Sequence, residues 1–317
     1  MIHKAFSSLN IRFKNLLLNS SFLMKIDLSY GCHFDHRCKQ FLLSNKHHIL
    51  ALDFSHEAIL DKLISSCLID SSFHRLESIV FNEITVFKLL VFLFHLRSLP
   101  RLFSLTIRLF ECYDNLGDIF GILFRFPVLK YLKFEVSENE DVRLKIPVAT
   151  EGQSSSIEYL AIHFWCTLNE LSGFLSYTPR LTRLSCSNLV GLESNIKFES
   201  LTNLVHLNIT INESKFDQFE RLLLKICSQL KYLSITIGCS DKSYLDGHRW
   251  ERLITENMPL LNEFIFRYND SIHDYFAIYS YHSLINRFTS PFWIKRKWML
   301  RIIVESHKIL YVISPYR

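Results

Sequence analysis

A single short phrase, apolar-x-x-apolar-x-apolar, recurs nine times along the chain and constrains its fold more than any other feature. The copies are Ile49/Leu52/Phe54, Leu76/Ile79/Phe81, Leu102/Leu105/Ile107, Leu129/Leu132/Phe134, Ile157/Leu160/Ile162, Leu181/Leu184/Cys186, Leu204/Leu207/Ile209, Leu230/Leu233/Ile235 and Leu261/Phe264/Phe266. Their first residues are 27, 26, 27, 28, 24, 23, 26 and 31 apart. The last two apolar positions are two apart, so on a strand they point to one face. The first lies three earlier, where the chain turns into the strand and drops its side chain into the same core.

Between phrases the apolar period lengthens to that of a helix. "FDQFERLLLKICSQL" sets Phe216, Phe219, Leu223 and Ile226 on one face. Trp250, Leu253, Ile254 and Met258 repeat the arrangement, as do Leu168, Leu171 and Leu175. One strand-helix unit cannot bury its apolar face alone, but stacked neighbours share a continuous core. The spacing brackets the 20–29-residue period of leucine-rich repeats. The expected fold is therefore an α/β leucine-rich repeat solenoid, a horseshoe with parallel strands on the concave face and helices on the convex face. The Asn or Cys that such repeats carry after the strand is mostly missing; Asn212 and Asn269 hold that place, and Cys166 lies one residue beyond it.

Composition narrows the function classes. Apolar residues make up 49% of the 317 and charged residues 21%, enough to build a core and to argue against disorder. Glycine is scarce, at 8 residues, and no phosphate-cradling glycine motif occurs. The net charge of +5 is mild, and the densest basic run, Lys295-Arg296-Lys297, is short, so nucleic-acid binding is not expected. The most apolar run, residues 84–96, is broken by Lys88 and too short to span a membrane. The 8 cysteines form no C-x-x-C, and the start lacks a secretory core, which suggests reduced thiols in the cytoplasm or nucleus.

Catalytic and metal chemistry find little support. "GCHFDHRC" gathers Cys32, His33, His36 and Cys38, but without the paired spacings of structural zinc. No G-x-S-x-G turn presents a serine, and a pairing of His163 with Cys186 would use a cysteine from an inward core position. The expectation is a non-enzyme with no cofactor and no metal.

Strand alternation names the residues of the opposite face. They include Tyr131, Lys133, Tyr159, Ala161, His163, Arg183, His206, Asn208, Tyr232, Ser234 and Arg267. Tyr, Arg and His favour protein interfaces, and the expected partner surface is Tyr131, Lys133, Tyr159, His163, Arg183, His206, Asn208, Tyr232 and Arg267.

Residues 1–22 read as an amphipathic helix, with "AFSSLNIRFKNLL" matching the run A-F-x-x-L-N-x-R-F-x-x-L-L of the second half of an F-box. With "FDHRCKQFLLSNKHHILALDFSHE", "SSSIEYLAIHF", "GHRWERLITENMPLLNEFIFRY" and "RFTSPFWIKRKWMLRIIVESHKILYVISPY", the chain resembles, over essentially its whole length, F-box-like leucine-rich repeat proteins. That resemblance implies a substrate receptor of a cullin-RING ubiquitin ligase. Its Skp adaptor, and through it the cullin, would be engaged by Phe6, Leu9, Phe13 and Leu16. The usual opening L-P-x-E helix of an F-box does not appear in residues 1–22. A cap on the repeat stack and a non-ligase scaffold that has lost the adaptor thus remain open as readings. The expected organisation is an F-box remnant or cap at 1–22, a helical connector at 23–46, repeats at 47–270 and a C-terminal cap at 271–317. In that cap Phe292, Trp293, Trp298, Leu300, Ile302 and the "KILYVI" run suggest two packed strands.

Overall fold

The repeated phrase builds strands, and their order in space follows their order in the chain. A computed structural model describes residues 23–28, 36–54, 59–61, 69–110, 116–137, 146–150, 152–191, 201–271, 286–305 and 308–316. The chain divides into two compact units, residues 1–143 and 144–317.

The first unit holds strands β1 (Met24–Leu28), β2 (Ile49–Phe54), β3 (Ser78–Ile84), β4 (Ser104–Leu109) and β5 (Tyr131–Val136). Each pairs in parallel with the next. Helices α1 (His36–Asn45), α2 (Val86–Leu96) and α3 (Gly117–Leu123) lie between strands in the chain. The register aligns Leu52, Ile79, Leu105 and Leu132 across four strands, and all four are buried. Helix residues close over the same face: Phe92 of α2 meets Phe54 and Phe81, and Phe120 of α3 meets Phe134 with ring centroids 4.8 Å apart.

The second unit runs β6 (Tyr159–Thr167), α4 (Leu168–Tyr177), β7 (Arg183–Val190), β8 (His206–Glu213), α5 (Phe216–Ile226), β9 (Tyr232–Ile237), α6 (Gly247–Asn257) and β10 (Glu263–Ser271). These strands too are parallel and in register, aligning Leu160, Leu184, Leu207, Leu233 and Phe264. Trp250 of α6 is fully buried, touches Phe216, Phe264 and Phe266, and donates its indole N–H to the Tyr244 carbonyl at 2.9 Å. Burying apolar side chains of this size stabilises by about 1.5–3 kcal/mol each.

The turn into each strand explains why the phrase begins three residues early. A single carbonyl accepts two N–H groups from the next repeat. The Glu158 carbonyl takes Thr182 (2.8 Å) and Arg183 (3.1 Å), the Thr182 carbonyl takes Val205 and His206, and the Val205 carbonyl takes Lys231 and Tyr232. Both lone pairs of each carbonyl are used, so the entry to the strand is fixed while its first leucine turns inward.

Polar groups set the helix ends. Thr167 caps α4 in a capping box with Glu170, and Asp246 accepts from the backbone of His248 and Arg249 at the start of α6. Asp241 reaches back from the following repeat to accept the Phe216 N–H of α5 at 2.7 Å. On α4, Gly173 lets the extended segment at 146–150 approach, since a Cβ there would stand 3.0 Å from the Ile146 carbonyl oxygen.

Two C-terminal strands form, but Phe292 and Trp293, expected with them, lie on a helix, and the strands take an order the sequence did not reveal. β11 (Trp298–Val304) pairs antiparallel with β12 (Lys308–Pro315), and β12 pairs antiparallel with β10. The later strand therefore sits against the repeats and the earlier one at the edge. Helix α7 (Pro291–Arg296) precedes them, and Trp293 and Trp298 pack on Phe264. The connector expected to be helical holds a strand as well, because β1 supplies a pairing partner for β2. Residues 1–22, with Phe6, Leu9, Phe13 and Leu16, lie outside the described residues.

Candidate binding face

The face opposite the helices is laid out in rows, because parallel strands in register place equivalent residues side by side. The first row precedes the central core residue. In the second unit it reads Tyr159, Arg183, His206, Tyr232 and Glu263, all in direct register. The second row reads Ala161, Ser185, Asn208, Ser234 and Ile265 on the same strands. His163 and Arg267 stand in the third row, in register with Ser187 and Thr236. Six of the nine residues expected at a partner surface thus share one unit with Arg267 as a seventh. Tyr131 and Lys133 belong to the other unit, in register with Ser104 and Thr106.

Two expected exposures fail. Ala161 is 1% exposed and Ser234 is 4% exposed. Each is a short side chain between longer ones two residues away on the same face, Tyr159 and His163 for the first, Tyr232 and Thr236 for the second. Shading of the second row is uneven, since Asn208 stays exposed and its amide donates to the Ser185 hydroxyl at 3.4 Å.

Within the first row His206 lies flat on Tyr232, with ring centroids 3.9 Å apart and planes 3° from parallel. Burial, then the neighbouring Arg183 cation, lowers the His206 pKa below its usual value; Glu263 opposes this more weakly. The imidazole is therefore held neutral near pH 7. Arg183 and Arg267 are exposed and make no ion pair among the described residues. The end of the face opens into a cleft of about 490 Å³ lined by Glu263, Ile265, Met299, Arg301, Ser314, Pro315 and Tyr316. There Arg301 donates to the Ser314 hydroxyl at 3.1 Å.

The first unit treats its charges differently. Glu135 accepts from Arg108 at 3.2 Å and lies 3.4 Å from Lys133, so both cations share one carboxylate. Burial pushes the Glu135 carboxyl up, but Arg108 and Lys133 together hold it below the ordinary range. Asn82 donates to Asp53 at 2.9 Å across neighbouring strands.

The remaining candidates for chemistry do not converge. His163 faces outward while Cys186 is 1% exposed on the helix side of the neighbouring strand, so strand alternation separates them. Burial pushes the Cys166 thiol well up and the Cys227 thiol to about 11, leaving both as protonated core groups rather than nucleophiles. Among the described residues no cluster of three metal-ligating side chains occurs; Cys32 and His33 lie outside them. Also among the described residues, no helix is long and apolar enough to cross a membrane.

Sequence reasoning missed Asn188, which adopts φ 71° and accepts from Asn212 at 3.1 Å. The pair links the ends of β7 and β8, and Asn at a left-handed position was the available signal. No protein-family model matches the chain, and a search of curated proteins finds no match.

Proposed function

We propose that the chain is a protein-binding leucine-rich repeat module, its strands lining a concave face that holds a partner and its helices forming the convex back. The single observation that carries this reading is the row Tyr159, Arg183, His206 and Tyr232. Core-forming pressure does not demand large amphipathic residues at four outward positions in a row. Tyrosine offers rigid area at low entropic cost, and arginine adds a planar donor fork. The resemblance to F-box-like repeat proteins makes the partner a substrate for ubiquitination and the Skp adaptor the contact of residues 1–22. A non-ligase scaffold uses the same face without the adaptor.

Affinity purification of the full chain, with partners identified by mass spectrometry, tests both parts. The partner should be lost from a Tyr159→Ala/Arg183→Ala double variant that retains its circular dichroism spectrum. Full retention of the partner moves the binding face elsewhere. Co-purification of adaptor and cullin supports the ligase role, and a partner recovered without them favours the scaffold.

A further inference from the structure

The second unit's outward face combines a surplus of positive charge with an apolar end. Arg183 stands in the first row, Arg267 in the third, and Arg301 lines the terminal cleft; all three are exposed. Against them the three rows and the cleft offer one carboxylate, Glu263. None of the three arginines pairs with a carboxylate among the described residues, whereas Arg108 and Lys133 of the first unit share the Glu135 carboxylate. The second unit thus leaves its charge for an incoming group. The first and third rows are four residues apart along each strand, roughly 13 Å between Cα atoms, a span that one extended chain with side chains on alternate sides can reach across.

We infer that this face takes an extended acidic segment of a partner protein, laid across the strands with its carboxylates on Arg183, Arg267 and Arg301 and an apolar side chain in the cleft of Ile265, Met299 and Pro315. This rests on the protein-binding reading above and adds the chemistry of what is bound. From β6 to β11 there are six inter-strand steps, roughly 29 Å, or about nine extended residues. Carboxylates are matched to the planar guanidinium fork, and desolvated pairs of this kind supply specificity and association rate. A single-stranded nucleic acid fits less well, because the ring faces that His206 and Tyr232 turn to each other are closed to stacking bases.

Fluorescence anisotropy with three labelled probes tests the inference on the full chain: a peptide of alternating glutamate and tyrosine, the same peptide with lysine for glutamate, and an oligouridylate. The acidic peptide should bind at low salt, weaken as salt rises, and lose at least about tenfold affinity in Arg183→Glu/Arg267→Glu, a variant checked for folding by circular dichroism. Lys225→Glu, on the exposed side of α5, should leave its binding unchanged. Binding of the lysine peptide or the oligouridylate in its place overturns the inference, as does an acidic peptide that fails to bind or ignores the arginine change. If a purified partner still depends on Tyr159 and Arg183 while the acidic peptide does not bind, the protein-binding reading stands and only the acidic chemistry falls.

Discussion

The outward faces of the two units are built on the same backbone pattern and spend their charged residues in opposite ways. In the first unit Arg108 meets Glu135 and Asn82 meets Asp53 across adjacent strands, and Lys133 approaches the same Glu135 from its own strand. In the second unit Arg183 and Arg267 stand exposed, His206 is stacked on Tyr232, and Ala161 and Ser234 lie buried in the row between. Backbone register does not distinguish the two faces; the identity of outward residues does. A face whose charges are satisfied internally loses those pairs when a partner docks, whereas a face with unneutralised arginines gains them.

The comparison holds only if the cores beneath are equivalent, and the largest expected effects test that. Leu132→Ala in the first unit and Leu207→Ala in the second should each cost about 2–5 kcal/mol in chemical denaturation, since both leucines are completely buried. A cost below about half a kcal/mol at either site would mean that its unit does not share the repeat core.

Next in size is the binding contrast. The Tyr159→Ala/Arg183→Ala variant should lower partner affinity by about 2 kcal/mol or more, the threshold of an interface hot spot. Tyr131→Ala/Lys133→Ala in the first unit should change it by much less. Equal losses in a titration of both variants would erase the difference between the faces.

A smaller effect concerns Glu135. Its folded pKa is depressed, so its pairing contributes stability above the unfolded value near 4.5 and loses it as pH falls through the folded pKa. Glu135→Gln should lower stability by about 0.2–1 kcal/mol at pH 7, and the gap to wild type should close in acid. Urea melts at pH 7 and pH 3 measure both; a gap that persists at pH 3 would assign the effect to packing instead.

The smallest effect is a shift rather than a loss. His206 should titrate with a midpoint below 6.5 by NMR, because burial and Arg183 disfavour its charged form. Its neutral folded form contributes stability that is complete above about pH 6.5 and declines as pH falls toward the folded pKa. In Arg183→Ala the midpoint should rise. A midpoint that does not move would remove Arg183 from the His206 environment and loosen the row on which the binding face is built.

The chain order of apolar residues was enough to place the strands. Each central residue read from the phrase, from Leu52 to Phe264, lies in register with its neighbours within its unit, because a period of two leaves a strand only one way to bury both apolar positions. The helical stripe of Phe216, Phe219, Leu223 and Ile226 was equally legible, and all four are buried. The outward positions could also be named, since alternation is local. What alternation cannot carry is the height of a neighbour: Ala161 and Ser234 are outward yet buried, because shading depends on the side chains around them.

Relations between repeats were hidden for the same reason. That Arg108 is occupied by Glu135 while Arg183 makes no ion pair among the described residues depends on which side chains meet across neighbouring strands, 27 residues apart for Arg108 and Glu135. The stacking of His206 on Tyr232, the reach of Asp241 back to the Phe216 N–H and the placing of β12 inside β11 are likewise decided by tertiary contact. Residue order alone determined where the chain runs as strand or helix and which face of each strand is core, because those follow from period and burial. Which outward charges are already paired and which await a partner was decided only by the folded structure, because pairing depends on distance between residues the sequence keeps apart.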